Sequence, residues 1–346
     1  MTTRVRMLLL ACTGALGLVL ASSALAAFVP SIAIRHASPA LNSNGAVTIR
    51  VAVPRDDDPL FRAVIYAPVG YSAVINQGAG TQIGTVNAQV QVREPIAGAV
   101  LPLTGTITTA APADHAGNAC SPGVHGAVWL LTMPAPSGPP LVVPIYVDQT
   151  LGPVEQALGS YRLTVCLPSP NIPQAAGGAA FGAKLILAQL NLQQGVFTSP
   201  VNRGNYRWQM LATPWPTTAA GPPNVAGTVN AQGRVSVPVT IALSATSRAG
   251  RVVVRGNVLE DRTGVSRQAI RVRVGNRTHT VRTNTAGRFT LAVRRARGAR
   301  LAITATANVP ARPIPCSAPS PFPGVACVSE TQQFFVSSRT IRHRVR

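Results

Sequence analysis

Val47-Thr-Ile-Arg-Val-Ala-Val53 decides the fold of this chain, because every second residue in it carries a branched aliphatic side chain. Side chains of a β-strand point alternately to its two faces, so this alternation predicts a strand with one buried and one exposed face. Further predicted strands lie between turns rich in Pro, Gly and Asn. They are 61–66, 88–92, 126–133, 141–147, 161–167, 184–192, 206–212, 234–243, 251–259, 269–274, 278–283, 288–293, 301–307, 332–336 and 339–346.

The composition agrees with this pattern. The chain of 346 residues has 30 Pro and 30 Gly, is 46% hydrophobic and only 12% charged. So many Pro and Gly residues speak against a helical bundle. The low charge and high apolar content speak against disorder, because a disordered chain has many charges and few apolar residues. Helix is predicted only as short turns within 154–158 and 172–181. Each amphipathic sheet must bury its apolar face against another, so the sequence predicts an all-β protein with two β-sandwich domains.

The N-terminus resembles a secretory signal peptide over residues 1–26. Arg4 and Arg6 precede an uncharged, mostly apolar run from Met7 to Leu20, and the small residues Ala24 and Ala26 follow. This order predicts export and cleavage before Ala27. Two alternatives remain open: a lipid attached at Cys12, or retention of residues 7–28 as a membrane anchor. We therefore expect a secreted or extracytoplasmic protein associated with the cell envelope.

A Pro-rich segment divides the mature chain. Residues 214–224 have the composition of a linker, so we predict an N-terminal domain at 27–213 and a C-terminal domain at 225–346. Charge differs strongly between the two parts. Residues 27–213 hold nine basic and seven acidic residues (9 − 7 = +2), whereas residues 214–346 hold twenty and three (20 − 3 = +17). Thirty of the 31 basic residues are Arg, which is typical of a GC-rich bacterial genome.

Four cysteines remain after removal of the signal. An even number in an exported chain predicts disulfides rather than a metal site or a nucleophile. Four cysteines allow three pairings, and we expect neighbours to pair within each domain. The predicted bridges are Cys120–Cys166 and Cys316–Cys327.

Two family resemblances follow from particular residues. Cys120, Trp129 and Cys166 resemble the pattern of immunoglobulin-like domains, in which a buried Trp packs on a disulfide between two sheets. Residues 251–307 resemble carboxypeptidase regulatory-like domains, which are prealbumin-type β-sandwiches. The resembling segments are 254–258, 264–265, 270–274 and 283–291, although the family has a Thr-Asp-x-Gly-x-Phe turn where this chain has Asn284 and Thr285-Ala-Gly-Arg-Phe289. Such domains are non-catalytic, so the resemblance implies a module for folding, spacing or binding.

Few residues suggest chemistry. Asp114, His115 and His125 lie around Cys120 and have the side chains of a metal or acid–base site, but a polar loop beside a disulfide explains them better. Asp56-Asp-Asp58 lacks the glycine and the alternating acids of Ca²⁺ loops, so a solvated turn is preferred. Leu101-Pro-Leu-Thr-Gly105 spells a sortase signal but lies inside the chain, where chance explains it. We find no hydrolase, P-loop or dinucleotide motif, and predict no catalytic residue, metal or cofactor.

The arginines provide the functional prediction. Arg271 and Arg273 alternate with aliphatic residues, whereas Arg342, Arg344 and Arg346 alternate with Ile341, His343 and Val345. Alternation places each set on one strand face, which predicts binding to anionic envelope polymers or lipid headgroups, without specific nucleic-acid recognition. A merely solvated face is an equally good interpretation. The function predicted is non-catalytic binding or adhesion, and the alternatives are an envelope hydrolase with dispersed catalytic residues or a structural spacer. A deep cleft with acidic groups or His favours the hydrolase, and a shallow basic face favours binding.

Overall fold

The chain folds almost entirely into β-strands. The computed structural model describes residues 28–38, 40–94, 96–135, 138–216, 220–260, 262–310, 326–329 and 333–345. The strands up to residue 214 are β1 (Ser31–His36), β2 (Val47–Ala52), β3 (Leu60–Ala67), β4 (Ser72–Ala73), β5 (Gln82–Gln91), β6 (Val100–Ala110), β7 (Ala127–Met133), β8 (Leu141–Gln149), β9 (Tyr161–Cys166), β10 (Lys184–Leu192), β11 (Phe197–Thr198) and β12 (Gly204–Pro214). The short helix α1 (Gly152–Leu158) and three-residue or four-residue 3₁₀ turns complete this part.

The remaining strands form the C-terminal part. They are β13 (Val229–Val237), β14 (Val239–Arg248), β15 (Arg251–Glu260), β16 (Thr263–Gly264), β17 (Ala269–Val274), β18 (Arg277–Arg282), β19 (Arg288–Arg294), β20 (Arg300–Pro310), β21 (Ala326–Ser329), β22 (Gln333–Ser337) and β23 (Ile341–Arg344). The prediction of an all-β protein built from several packed sheets is confirmed.

Twelve strands form one long sheet in the order β1-β2-β10-β5-β6-β7-β8-β9-β3-β12-β13-β21. The sheet curls until β1 lies beside β13, near its other end. Its concave side is filled by large apolar residues. Trp129 of β7 and Trp208 of β12 are fully buried, and both rings pack edge-on against Phe197, at centroid distances of 6.3 and 5.7 Å. Distant strands of the sheet therefore face each other across a shared core.

Two smaller sheets form a sandwich after residue 238. The first contains β14, β15 and β19 with the short β16, and the second has the order β18-β17-β20 with β22 and β23 along the far side of β20. Inward residues of both sheets, such as Val252, Val254, Val272 and Ile303, are fully buried. They belong to the same continuous hydrophobic core as the curled sheet, so burial links the two parts of the molecule.

The change from one sheet to the next occurs later in the chain than expected. Strand β13 pairs antiparallel with β12 along its whole length, from Gly204 opposite Val237 to Ala212 opposite Val229. The Pro-rich segment 214–224 therefore connects two neighbouring strands of one sheet, and it does not separate two sheets as the linker prediction required. The transition falls at the cis peptide bond between Val237 and Pro238, which also divides the predicted strand 234–243 in two. Strand β21 returns to pair in parallel with β13.

Alternation of apolar and polar residues did not predict every strand. Strands β1 and β6 were not predicted, and the Leu101–Gly105 motif lies inside β6, which pairs with β5 and β7. A Cβ at Gly105 would stand 2.0 Å from the carbonyl oxygen of Thr132, so only glycine permits the close approach of β7 there. Within the described ranges, no helix has both the length and the apolar character needed to cross a membrane.

Candidate binding surfaces

The first arginine face covers the outer side of the sheet formed by β18, β17, β20 and β23. Directly opposed residues of antiparallel strands share a face, so the register places six arginines together there. Arg271 and Arg273 lie opposite Thr306 and Thr304 of β20, and Arg344 lies opposite Arg300. The members of this face are Arg271, Arg273, Arg282, Arg300, Arg342 and Arg344, all exposed. The structure therefore brings four of the five predicted arginines onto one face, and Arg346 lies outside the described residues.

The second arginine face covers the outer side of β14, β15 and β19, on the opposite surface of the sandwich. Arg251 in the middle strand lies opposite Arg248 on one side and Arg294 on the other. This arginine row places three positive side chains directly beside one another across three strands. Arg255 and Arg288 extend the face along β15 and β19. Like charges directly opposite each other on a sheet are destabilising, so the free protein carries an electrostatic cost here.

A shallow depression of about 780 Å³ lies at the end of the arginine row. Its lining runs from Arg248 through the Ala249-Gly250 turn to Arg251, and from Arg294 to Ala296. Arg295 is held in place, because its guanidinium donates to the carbonyl oxygens of Arg294 at 2.9 Å and Val274 at 3.4 Å. The depression thus has the cationic, open form that suits an oxyanion on a larger molecule.

Carboxylates do not neutralise these faces within the described part of the chain. Glu260 is the only acidic side chain described beyond residue 224, and it is buried at the junction between the sheets. Its Oε1 lies 3.0 Å from Nη2 of Arg234 and also accepts a hydrogen bond from the Ser236 hydroxyl. The arginines of both outer faces therefore lack an acidic partner among the described residues.

Inside the curled sheet lies a cavity of about 390 Å³. Among its described lining residues, Gln174 has the only polar side chain, and the others are Val, Leu, Ala, Met, Pro, Gly and Phe. The acidic groups or imidazoles that a hydrolase cleft requires do not line this cavity in the described part of the chain. Its chemistry is that of an apolar binding site.

Of the three polar residues predicted near Cys120, His125 holds a loop in place. His125 is buried, with Nδ1 3.1 Å from Oδ2 of Asp148 and Nε2 2.9 Å from the Ser121 carbonyl oxygen. Asp148 also accepts from the amide of Gly126 and from Nε of Arg162. These bonds fasten the 111–126 loop to β8. Asp114 is exposed, His115 is half-buried, and no cluster of three potential metal ligands occurs among the described residues.

The expectation of a solvated turn at Asp56-Asp-Asp58 is wrong for two of its residues, because Asp57 and Asp58 are buried. Oδ2 of Asp57 accepts the amide of Val29 at 2.5 Å, and the Lys184 ammonium donates to the carbonyl oxygens of Arg55 and Asp57. Burial raises the pKa of Asp57, against the opposing effects of the Val29 amide and the Lys184 charge. These contacts anchor the turn that precedes β3.

One predicted disulfide is present. Cys120 and Cys166 are bonded, with a Cα–Cα distance of 6.3 Å, and the bridge attaches the loop after β6 to the end of β9. This confirms the pairing. The predicted Cys316–Cys327 bridge and the signal segment 1–26 lie outside what is described, because Cys316 and residues 1–27 are not described.

The arginine row and the depression were missed by the sequence reasoning. Arg248 and Arg251 flank a turn, and Arg294 is distant from both in the sequence. The three residues become neighbours only through the register of three paired strands. One signal was available: Arg248-Ala-Gly-Arg251 has the form of a hairpin turn flanked by two arginines, and Ala249 and Gly250 both have positive φ. A hairpin at that point would have predicted the first pair.

Comparison with known proteins provides little guidance. No protein-family model matches the chain, and no curated protein matches it. Among solved structures, the D0-D1 domain of intimin is 9% identical, with 91% of this chain and 100% of that chain covered at a TM-score of 0.21. A Ca²⁺-stabilised ice-binding adhesin of an Antarctic bacterium is 11% identical, and the match covers 90% of each chain at a TM-score of 0.18. Red sea bream transglutaminase is 5% identical, and the match covers 92% of this chain and 32% of the transglutaminase chain at a TM-score of 0.21. At such scores these similarities support no conclusion about fold or function.

Proposed function

We propose that this chain is a secreted, non-catalytic binding or adhesion protein of the cell envelope. In this proposal the C-terminal sandwich docks on anionic envelope polymers or lipid headgroups through its two arginine faces. The observation that carries it is the arginine row, in which Arg248, Arg251 and Arg294 stand side by side on three paired strands. A polyanion that bridges them would relieve their mutual repulsion, which gives binding a favourable electrostatic contribution.

The form of the two faces favours a polymer or a surface over a small ion. Eleven exposed arginines lie on opposite sides of one sandwich, six on the first face and five on the second. Arg guanidinium groups bind phosphate and carboxylate oxygens in pairs of parallel hydrogen bonds. A repeated anionic ligand can therefore engage several arginines along a face at once, and its affinity accumulates from contacts that are individually weak.

The proposal is tested by retention of the full-length protein on vesicles with anionic phospholipid and on an immobilised teichoic-acid-type polyphosphate polymer. Removal of three charges in R248Q/R251Q/R294Q should weaken retention and lower the slope of log affinity against log salt by about 2–3. The same removal on the first face, in R271Q/R273Q/R342Q, should also weaken it.

A matched control separates placement from net charge. R262Q/R277Q/R297Q removes three exposed arginines that lie on neither face, so its net charge equals that of the other two variants. We expect it to retain most of the affinity. If all three variants lose retention equally, or if the wild-type protein binds both materials weakly and without salt dependence, the arginine faces are only solvated surfaces.

A further inference from the structure

The cavity in the curled sheet has a wall and a cover made from different parts of the chain. Strands β10, β5, β6, β7, β8 and β9 lie side by side and form the concave wall. The connection from β9 to β10 crosses this concave side, and Leu167, Ala179 and Phe181 line the cavity from it. The cavity is therefore built into the topology, and it does not arise from a single missing side chain.

Small side chains create the space. Ala88 of β5 and Ala188 of β10 lie directly opposite each other in the register, and both line the cavity. Around them are flexible aliphatic side chains such as Leu103, Met133 and Leu185, with Phe181 as the only aromatic ring among the described lining residues. Water gains no hydrogen bonds on such walls, and an empty apolar space leaves them without dispersion contacts. An apolar ligand would supply the missing contacts.

The cavity also reaches solvent. Its lining residues Gly138, Pro139, Pro140 and Gln174 are exposed, so the opening lies between residues 138–140 and the 3₁₀ turn that begins at Gln174. Phe181 in the cover has φ of 57°, a left-handed conformation that is strained for a bulky side chain. Its carbonyl oxygen accepts the amides of Arg93 and Glu94 at 3.0 and 3.3 Å, and these bonds fix the cover against the end of β5.

We propose that this cavity binds one acyl chain of a lipid, with the polar end of the lipid at the Gln174 opening. A flexible alkyl chain fits walls that are almost entirely aliphatic, whereas a charged or flat aromatic ligand would find few partners there. The Gln174 amide can donate to or accept from an ester or hydroxyl group at the surface. The site is separate from the arginine faces, so it goes beyond the proposed docking function.

The test uses a neutral lipid, because an anionic one would also bind the arginines. Full-length protein is titrated with unlabelled monopalmitoylglycerol, and binding is followed by isothermal titration calorimetry. We expect saturable binding of one molecule per chain. A188F should fill the cavity and weaken binding by at least about tenfold, whereas R248Q/R251Q/R294Q should bind the lipid unchanged.

Matched variants keep the test decisive. A292F makes the same substitution at an exposed position on the outer side of β19, and should bind like the wild type. If A188F does not fold, A88L narrows the same space from the opposite strand and takes its place. Native mass spectrometry of the wild-type protein with monopalmitoylglycerol needs no variant. Absence of a saturable one-to-one complex, or equal binding by A188F and A292F, would overturn the proposal.

Discussion

Single side chains hold several turns and junctions of this molecule, and Asn284 is a clear example. Its Oδ1 accepts the backbone amides of Ala286 and Arg288 at 3.0 and 2.9 Å, and so closes the turn before β19. Gly287 in that turn has φ of 74°, a conformation that favours glycine, and Phe289 after it is buried. Asn284 thus closes the turn with a short side chain that accepts two backbone amides. The carboxylate of Asp, which the resembling family has in this motif, can accept such hydrogen bonds in the same way.

His36 is a buried titratable residue whose shifted pKa makes stability depend on pH. The ring is 2% exposed, and its Nε2 lies 3.0 Å from the hydroxyl of Tyr71. Burial lowers the pKa of His36 to about 4 from 6.5. The unfolded chain therefore takes up a proton in a pH range where the folded chain does not.

We predict that acid destabilises the protein through His36. Its contribution to stability is complete above pH 6.5 and is lost as the pH falls from 6.5 towards about 4. The loss is roughly 3 kcal/mol in total. H36Q keeps a hydrogen-bond partner for Tyr71 but removes the titration, so its free energy of unfolding should depend less on pH in this range. Urea unfolding of both proteins at several pH values measures the difference, and parallel curves would contradict the assignment.

At the scale of elements, the junction between β13 and β15 depends on a buried ion pair. The side chains of Arg234 and Glu260 are 14% and 6% exposed, and Asn205 of β12 also accepts from Arg234. The network thereby joins the curled sheet to the sandwich at the point where the chain passes between them. Loss of one partner would leave the other charge buried without compensation.

We predict that E260Q lowers the free energy of unfolding by about 3 kcal/mol. E155Q is the matched control, because Glu155 pairs with Arg162 at 2.8 Å but both side chains are about one third exposed, at 28% and 35%. Solvent screens that pair, so its loss should cost at most about 1 kcal/mol. Chemical unfolding of the three proteins gives both values. Equal effects would mean that the junction pair has no special role.

The individual strands follow from the sequence better than their arrangement does. Lys184–Leu192 and Ala269–Val274 have the predicted bounds, and in Ala269–Val274 the alternation reports directly which face of the strand is buried. Alternation carries no information about which strand lies next to which. The hairpin between β12 and β13, the arginine row and the apolar cavity all depend on pairing between distant segments, and none of them was predicted for that reason. The difference in net charge between the two parts, by contrast, could be predicted because it depends only on composition.

At the scale of the whole molecule, the two parts share strands as well as a core. Strand β13 belongs by sequence to the basic C-terminal part but pairs with β12, and β21 returns from beyond β20 to pair with β13. Buried side chains continue from the curled sheet into the sandwich without a gap. Separation near residue 224 would therefore leave β12 and β13 with unpaired backbone groups and exposed apolar faces.

The last prediction is that the full-length protein unfolds in one transition. Trp129, Trp208 and Trp215 all precede residue 216, so Trp fluorescence reports on the curled sheet, whereas far-UV circular dichroism reports on every strand. Because β13, the Arg234–Glu260 pair and a continuous core connect the parts, the two signals should change at the same urea concentration. A fluorescence transition that is well separated from the dichroism transition would show that the sandwich folds independently, with a boundary at the Val237–Pro238 bond. E260Q serves as the internal check, since it should move both signals together if the junction couples them.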